Sequence, residues 1–242
     1  MQVNDKCLVI IPTYNEKMNV EKMLGSLKEL YPDISILIID DNSPDGTAQV
    51  VEKCQSKLSN IHLIKREGKL GLGTAYITGF KWALQKDYQF IFEMDCDFSH
   101  DPKDIRRLLE AAQENDLVIG SRYIDGIRII NWPFHRLLLS YGASIYTRFI
   151  TGLKILDVTG GFKCFKRSTL EAINLDRIFS NGYSFQVELN YKVWSLGLKL
   201  KEVPIIFTER RDGQSKMSGG IFKEAVWAVI MLRIRKTFNL LN

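Results

Sequence analysis

The feature that most constrains the fold is a regular alternation of short apolar runs with segments of helical character. The runs at 7–11, 34–39 and 61–64 are mostly aliphatic, which is typical of strands buried on both faces of a sheet. Between them, 19–30 and 47–58 are predicted to be helices. This order predicts an α/β domain with a mostly parallel central sheet, right-handed crossovers and flanking helices.

The rest of the chain adds elements of the same two kinds. Strands are expected at 90–94 and 116–120, with a helix at 103–114 between them. Asp101 before Pro102 predicts a cap for this helix, with proline at its first position. The remaining predictions are a helix at 132–153, a strand at 162–165, a helix at 183–196, extended chain at 199–207 that is broken by Pro204, and a helix at 221–242.

Composition and charge limit the classes of function. The chain of 242 residues is 45% hydrophobic, enough for the core of one domain over 1–220, with 221–242 as an appended amphipathic helix. Its net charge of +5 lies mainly in the second half, which suits an anionic ligand or a membrane surface. The sequence lacks a dense run of Lys and Arg with interleaved aromatic residues, so a nucleic-acid partner is not expected. No apolar run approaches the ~20 residues that span a bilayer, so we expect a soluble or peripheral protein.

The cysteines indicate a reducing compartment. Cys7, Cys54, Cys96 and Cys164 stand far apart and form no C-x-x-C pair. They therefore indicate neither a zinc site nor a disulfide framework, and we expect a cytoplasmic protein.

Two acidic clusters are the strongest candidates for a site. Asp95-Cys96-Asp97 follows the apolar run at 90–94, and Asp40-Asp41 follows the run at 34–39. Because ligands of parallel sheets bind at the carboxyl ends of the strands, we expect both clusters at one edge, where carboxylates would hold a hard cation. Taken alone, the tripeptide fits a helix cap or a solvated loop equally well.

Two other local patterns are interpreted as structural. Gly71 and Gly73 follow the third strand rather than the first, which disfavours a dinucleotide-binding fingerprint and predicts a close helix start packed on the sheet. His100 has no second His or Cys nearby at metal-ligand spacing, and we expect it in a loop or cap. Neither pattern is assigned to the chemistry.

Three segments of the second half suit an anion or a membrane. Arg136 and Ser140 are four residues apart, so one helical face would direct a cation and a hydroxyl at the same anion, although a purely structural helix has a similar pattern. The basic, glycine-punctuated stretch 208–220 suits either a mobile cover over phosphates or a solvated connector. In the last helix, an apolar stretch at 225–232 precedes a basic end, which fits a membrane interface and equally a core or dimer helix.

Six motifs, in this order along the chain, carry a family resemblance. They are Pro12-Thr13-Tyr14-Asn15-Glu16, Asp40-Asp41-Asn42-Ser43-Pro44-Asp45-Gly46-Thr47, Asp95-Cys96-Asp97, Gly120-Ser121-Arg122-Tyr123, Asp157 with Thr159-Gly160-Gly161-Phe162, and Arg210 with Gly213-Gln214-Ser215-Lys216. Together they resemble the inverting family 2 glycosyltransferases of GT-A fold, over about residues 6 to 220. The last motif and residues 132–140 favour the dolichol-phosphate (polyprenol-phosphate) mannosyltransferase branch.

The resemblance implies a role for each matched position. The nucleoside of the sugar donor would contact Pro12, Tyr14, Glu16, Ile39 and Asp41. The donor's ribose, diphosphate and metal would meet Asp95, Cys96 and Asp97, and its diphosphate side would contact Arg122, Arg210 and Lys216. A Mg²⁺ or Mn²⁺ ion would be held by Asp97 and Ser99. The acceptor phosphate would be bound by Arg136 and Ser140, and catalysis would depend on Asp97, Arg122 and Arg136.

The resemblance also implies a reaction, the transfer of mannose from GDP-mannose to a polyprenyl phosphate with inversion. No strong general base is expected, since the acceptor is already an anion at neutral pH. Nothing in 12–41 distinguishes guanine from uracil, so a UDP-glucose or UDP-aminosugar donor stays open, as does a non-catalytic nucleotide-binding or scaffold protein. Attachment to the cytoplasmic face of a membrane would fall to the last helix, which could equally contact another subunit of a homo-oligomer.

Overall fold

The computed structural model describes residues 3–4, 6–209, 219–238 and 241, with the backbone alone at 183 and 219–225. Its strands are β1 (Cys7–Thr13), β2 (Ser35–Asp40), β3 (Ile61–Lys65), β4 (Phe90–Glu93), β5 (Leu117–Ser121), β6 (Ile129–Ile130), β7 (Lys163–Lys166), β8 (Leu200–Pro204) and β9 (Phe207–Thr208). Its helices are α1 (Lys17–Leu30), α2 (Thr47–Gln55), α3 (Leu72–Leu84), α4 (Asp104–Ala112), α5 (Phe134–Thr151), α6 (Arg167–Ala172), α7 (Gly182–Ser195) and α8 (Gly219–Thr237), with a 3₁₀ turn at Leu175–Arg177.

Seven of these strands form one central sheet in the order β3-β2-β1-β4-β7-β5-β8. Neighbouring strands are parallel except at β7, which runs antiparallel to β4 and β5. The strands β2 and β4 lie on opposite sides of β1, so the strand order reverses there and leaves a crevice at the carboxyl ends. The predicted α/β architecture is confirmed, and this crevice is the edge at which the sequence places both acidic clusters.

Apolar side chains cover both faces of the sheet, because successive residues of a strand point to opposite sides. On one face, Val9 and Ile11 pack in a layer that includes residues of α1, α2 and α4. On the other face, Leu8 and Ile10 pack in a layer with residues of α3 and α7. Leu232 of α8 is fully buried in this second layer. The last helix therefore contributes to the core, one of the two alternatives that its sequence leaves open.

Helix α4 begins at Asp104, one residue later than predicted, with Lys103 as its N-cap residue. The side chain of Asp101 still caps the turn before the helix, because its Oδ1 accepts a hydrogen bond from the backbone N–H of Lys103 at 2.9 Å. The predicted break of the extended chain at Pro204 is confirmed, because Pro204 ends β8. Beyond it, β9 leaves the main sheet and pairs with β6 in a separate parallel ladder. Sequence reasoning also missed α6 and the 3₁₀ turn that follows it.

The predicted close helix start at Gly71 and Gly73 has a second packing partner besides the sheet. Gly71 has a φ of +97°, in the region that favours glycine, and it directly precedes α3. A Cβ atom on Gly71 would lie 2.6 Å from the side-chain amide of Asn181, and one on Gly73 would lie 2.9 Å from the ring of Phe185. The start of α3 therefore packs closely against the start of α7, and Ala75 of the same helix also packs in the layer with Leu8 and Ile10 of the sheet.

Candidate active site

The carboxyl ends of β1 and β2 form the first wall of the candidate site. Pro12 and Ile39 are register partners on these strands, and Tyr14 and Glu16 follow in the loop to α1. Lys69 Nζ lies over the ring of Tyr14, 4.4 Å from its centroid. The side chain of Ile39 is fully buried, so it supports this wall from within the core. The positions that the resemblance assigns to the nucleoside thus lie along one edge of the sheet.

Two carboxylates at the end of β2 have different partners. Asp40 accepts hydrogen bonds from Thr13 Oγ1 at 2.9 Å and Ser43 Oγ at 2.6 Å, which closes the edge between β1 and β2. Asp41 accepts a hydrogen bond from Arg66 Nε at 2.5 Å, and both side chains of this ion pair are more than nine-tenths buried. Asp41 therefore holds the side chain of Arg66 at the carboxyl ends of β1 and β2. Sequence reasoning missed this cation.

The loop after β4 carries the predicted metal-binding residues. Asp97 Oδ1 accepts hydrogen bonds from the backbone N–H of Ser99 at 3.0 Å and from its Oγ at 2.6 Å. The intervening Phe98 has a φ of +60°, an uncommon backbone conformation for a bulky residue. This conformation turns the chain back, so that the oxygens of Asp97 and Ser99 lie side by side. Cys96 is buried, whereas Asp95 and Asp97 are half-buried.

The oxygens of Asp97 and Ser99 fit a hard divalent cation in kind and in placement. Such cations take carboxylate, hydroxyl and phosphate oxygens as ligands. Within the described residues, no group of three or more His, Cys, Asp or Glu side chains could hold a metal ion. A site with one or two protein ligands is typical of an ion that completes its coordination with water and substrate phosphates.

His100 is a buried residue that connects this loop to β9 and to the residue that precedes β7. Its Nδ1 accepts a hydrogen bond from the backbone N–H of Asp95 at 3.2 Å. Its ring stacks on Phe162 at 5.0 Å and meets the ring of Phe207 edge-on at 5.7 Å. Burial lowers the pKa of His100 to about 4, so the imidazole is neutral at physiological pH and Nδ1 can accept. The predicted loop position of His100 is confirmed.

A buried charge pair lies beneath the loop, between the sheet and α7. Glu93 and Lys163 are fully buried register partners of β4 and β7, with Nζ 3.9 Å from Oε2. Lys163 also donates to the main-chain and side-chain oxygens of Gln186 on α7. Burial raises the pKa of Glu93 to about 7 and lowers the pKa of Lys163 to about 8, and the attraction between them opposes both shifts. Sequence reasoning missed this pair, although an acid within an apolar strand is a signal for it.

Arg122 and Asp157, which belong to two of the matched motifs, form a buried ion pair. Arg122 Nε and Nη2 donate to the two carboxylate oxygens of Asp157 at 2.7 and 2.6 Å. Arg122 Nη2 also donates to Thr159 Oγ1 at 2.8 Å, and the backbone N–H of Asp157 donates to Glu202 on β8 at 2.8 Å. The side chains of Asp157 and Arg122 are 0% and 9% exposed. This bidentate pair is therefore a fixed part of the site.

The indole of Trp132 brings Arg122 and Arg136 together. Its ring centroid lies 4.2 Å from Cζ of Arg136 and 5.4 Å from Cζ of Arg122. Ser140, four residues after Arg136 on α5, accepts a hydrogen bond from Tyr123 Oη at 2.8 Å. Residues that are far apart in the sequence thus form one basic region. The ring of Phe207 lies 5.5 Å from that of Trp132 and 5.7 Å from that of His100, so this region is next to the loop after β4.

Two predicted diphosphate contacts, Arg210 and Lys216, lie outside the described residues. The described chain before them includes Glu209, whose carboxylate accepts a hydrogen bond from Arg136 Nη1. Sequence reasoning missed this ion pair, because its partners are 73 residues apart and no local pattern connects them. Glu209 therefore belongs to the basic region as a negative charge.

Helix α5 directs an apolar stripe outward and a polar stripe inward. The outward residues, all exposed, are Phe134, Leu138, Tyr141, Ile145 and Phe149. The inward residues are Arg136, Ser140, Ser144, Thr147 and Thr151, of which the last three are buried. A helix with one face in water has the opposite arrangement, so the outward stripe suits an apolar environment. No helix in the described part of the chain has the length and apolar character to cross a membrane.

Comparison with known families identifies the class to which this fold and site belong. The family model described as "Glycosyl transferase family 2" matches residues 8–173, a range that contains the first five motifs. The chain belongs to this family, and the protein is a glycosyltransferase. The predicted family and class of enzyme are confirmed.

Two curated relatives lie within the predicted branch of the family. An undecaprenyl-phosphate mannosyltransferase of Micrococcus luteus is 45% identical over 221 residues, which cover 91% of each chain. A polyprenol monophosphomannose synthase of Mycolicibacterium smegmatis is 43% identical over 232 residues, covering 95% of this chain and 88% of the relative. Both names agree with the branch that the last motif and residues 132–140 favour.

Solved structures of another enzyme share the fold. Glucosyl-3-phosphoglycerate synthase of Mycobacterium tuberculosis matches with a TM-score of 0.67 at 18% identity, over 95% of this chain and 79% of that one. A structure of the same enzyme with Mn²⁺, UDP and glucosyl-3-phosphoglycerate matches with a TM-score of 0.67 at 17% identity. At this identity the likeness shows the fold alone, and it agrees with the predicted α/β class.

Proposed function

We propose that the protein transfers mannose from GDP-mannose to a polyprenyl phosphate, with inversion at the anomeric carbon. The proposal depends on one observation, the junction of two surfaces at the loop after β4. The donor edge comprises 12–16, 39–41, 95–99 and Arg122, and the acceptor face comprises Arg136, Ser140 and the outward stripe of α5. The names of relatives that are 43% and 45% identical support mannose as the sugar and a polyprenyl phosphate as the acceptor.

In this proposal the donor edge binds the nucleotide and its diphosphate. The nucleoside lies against Pro12 and Tyr14, and Asp41 holds Arg66 beside it. Asp97 and Ser99 would hold Mg²⁺ or Mn²⁺, which would supply positive charge to stabilise the leaving diphosphate. A structure of glucosyl-3-phosphoglycerate synthase, which shares this fold, contains Mn²⁺ together with UDP, and this supports the use of a divalent ion.

The reaction needs no proton transfer. An oxygen of the acceptor phosphate forms a bond to C1 of mannose, while the bond from C1 to the diphosphate oxygen breaks and its electron pair leaves with GDP. Because the acceptor is already ionised, no general base must act on it. The neutral, buried His100, which holds the backbone of Asp95, is in keeping with this chemistry. Arg122 and Arg136 offset the repulsion between the two anions.

We further propose that α5 lies in the membrane interface on the cytoplasmic side. Phe149 and Phe134 are 86% and 74% exposed, and Trp227 of the neighbouring α8 is 65% exposed. A helix in this position would place Arg136 and Ser140 at the level of lipid phosphates. The four cysteines are free and buried, which is in keeping with a reducing compartment.

The direct test supplies the purified protein and Mg²⁺ with a short polyprenyl phosphate and one donor at a time. We expect GDP-mannose to give GDP and a β-linked mannosyl phospholipid, identified by mass spectrometry and NMR. Turnover of UDP-glucose with inert GDP-mannose would reject the donor but keep the class of reaction. If no donor reacts and Asp97→Ala leaves lipid binding unchanged, a non-catalytic role is favoured instead.

A further inference from the structure

We propose that Glu209 is the resident counter-ion of the acceptor position, and that the acceptor phosphate displaces it from Arg136. The inference rests on the proposed function, because it takes Arg136 as a contact of the acceptor phosphate. It adds a residue that sets the affinity for the acceptor without touching the donor.

The two side chains meet in a partly open position between well-held backbones. Arg136 Nη1 donates to Glu209 Oε1, and the two side chains are 18% and 24% exposed. The backbone N–H of Glu209 donates to Ile130 O at 3.1 Å, and the backbone N–H of Arg136 donates to Pro133 O at 3.0 Å. Rotation of the Glu209 side chain alone would therefore expose the guanidinium to another anion.

The neighbouring arginine shows what a permanent partner looks like. Asp157 is fully buried and accepts hydrogen bonds from two nitrogens of the Arg122 guanidinium. Removal of the Asp157 carboxylate would therefore leave the buried positive charge of Arg122 without a partner in this pair. Within the described residues, Glu209 is the one carboxylate paired with Arg136, and water reaches both side chains. An ion pair that water can reach shifts the equilibrium between the paired and the separated side chains by roughly less than tenfold. A substrate anion can therefore replace it.

The surroundings of Arg136 favour the exchange of one anion for another. The guanidinium lies 4.2 Å from the centroid of Trp132, and this contact remains when Glu209 moves away. The Trp132 Nε1 atom is buried and has no hydrogen-bond partner among the described residues. Its N–H group is therefore available to donate a hydrogen bond to an anion beside Arg136. A phosphate monoester carries about 1.5 to 2 negative charges and three strong acceptor oxygens, more than a carboxylate offers.

The test compares Glu209→Gln with the wild type in steady-state kinetics. The substitution keeps the shape of the side chain but removes the competing charge. We expect the KM for the polyprenyl phosphate to fall about threefold to tenfold, with kcat and the donor KM changed less than about twofold. The matched control is Asp176→Asn, which neutralises an exposed carboxylate paired with Lys81 away from the site, and it should change none of these values.

A double-mutant cycle and a binding measurement complete the test. In an Arg136→Ala background, Glu209→Gln should no longer lower the acceptor KM, because the partner of the carboxylate is gone. By calorimetry without donor, Glu209→Gln should tighten binding of a short prenyl phosphate but not of the corresponding prenyl alcohol. An unchanged or raised acceptor KM, or an equal effect without Arg136, would overturn the inference. A wild type that never uses polyprenyl phosphate would instead reject the proposed function itself.

Discussion

The donor edge and the acceptor face hold their charged residues in opposite ways. At the donor edge, the pairs Asp41–Arg66 and Asp157–Arg122 are almost completely buried, with side chains 9% exposed or less. At the acceptor face, the Arg136–Glu209 pair is partly open, and apolar side chains of α5 are exposed beside it. Burial fixes the two pairs at the donor edge, whereas in our proposal the partly open pair at the acceptor face exchanges Glu209 for the acceptor phosphate.

The difference follows from the cost of desolvating a charge. A buried ion must keep its partner, because breaking the pair leaves a charge in a medium of low dielectric constant. A partly exposed ion can exchange its partner for water or another anion at little cost. Preformed pairs therefore suit the nucleotide diphosphate, and an exchangeable pair suits a phosphate that arrives on a lipid.

The largest expected effect is at the donor edge. Asp97→Ala should lower kcat about a thousandfold or more, because the divalent ion and its stabilisation of the diphosphate are lost together. Initial rates across a magnesium titration measure this effect. Asp101→Ala removes an exposed carboxylate from the following turn and serves as the control. A normal rate for Asp97→Ala at saturating magnesium would contradict the assignment.

The second prediction compares the two carboxylate partners directly. Asp157→Ala should lower the free energy of unfolding by about 3 kcal/mol or more, because Arg122 loses its buried partner. Glu209→Gln should lower it by less than about 1 kcal/mol, since its pair is partly exposed. Urea denaturation followed by circular dichroism measures both values. Equal losses would remove the distinction between a permanent and an exchangeable pair.

The third prediction concerns Glu93, beneath the donor edge. Burial raises the pKa of its carboxyl from 4.5 to about 7, so between these values the folded protein binds more protons than the unfolded chain. Stability is therefore lost as pH rises through this window, by about 2 kcal/mol. Glu93→Gln should lose less stability between about pH 5 and about pH 7 than the wild type, as measured by urea denaturation. The exposed Glu114→Gln is the control, and an unchanged pH slope in Glu93→Gln would count against the buried titration.

A smaller effect is expected at the acceptor face. Arg136→Ala should raise the KM for the polyprenyl phosphate about tenfold, while the affinity for the donor changes less than about twofold. Steady-state kinetics with each substrate varied in turn separate the two. Arg128→Ala removes a more exposed arginine near the start of β6 and provides a comparison. An equal loss of donor affinity would place Arg136 at the donor edge instead.

The smallest effect is expected on the outward stripe of α5. Phe149→Glu should weaken sedimentation with anionic liposomes about fivefold, because a charge replaces an apolar side chain in the interface. Turnover of a short, water-soluble prenyl phosphate should not change. Met18→Glu, at a 76% exposed position on α1, is the matched control. Equal binding by Phe149→Glu and the wild type would indicate that α5 faces something other than the bilayer.

Local sequence patterns predicted where in the fold the acidic clusters lie. The acidic clusters at Asp41 and Asp97 were predictable because they interrupt the chain directly after apolar strands, and strand ends of a parallel sheet share an edge. The pairs Glu93–Lys163 and Arg136–Glu209 join partners 70 and 73 residues apart, and no spacing rule connects such positions. The left-handed backbone conformation of Phe98, which turns the chain between Asp97 and Ser99, could not be predicted either, because phenylalanine rarely adopts it.

The sequence by itself determined the α/β class, the family and the edge of the sheet at which the acidic clusters lie, because each depends on apolar periodicity and on short motifs. The tertiary structure alone decided which charges are paired and how deeply they are buried. It also decided which side of α5 faces outward, since the helix bears polar residues on its buried side and apolar residues on its exposed side. Burial depends on every neighbouring element at once, so no local pattern could reveal it.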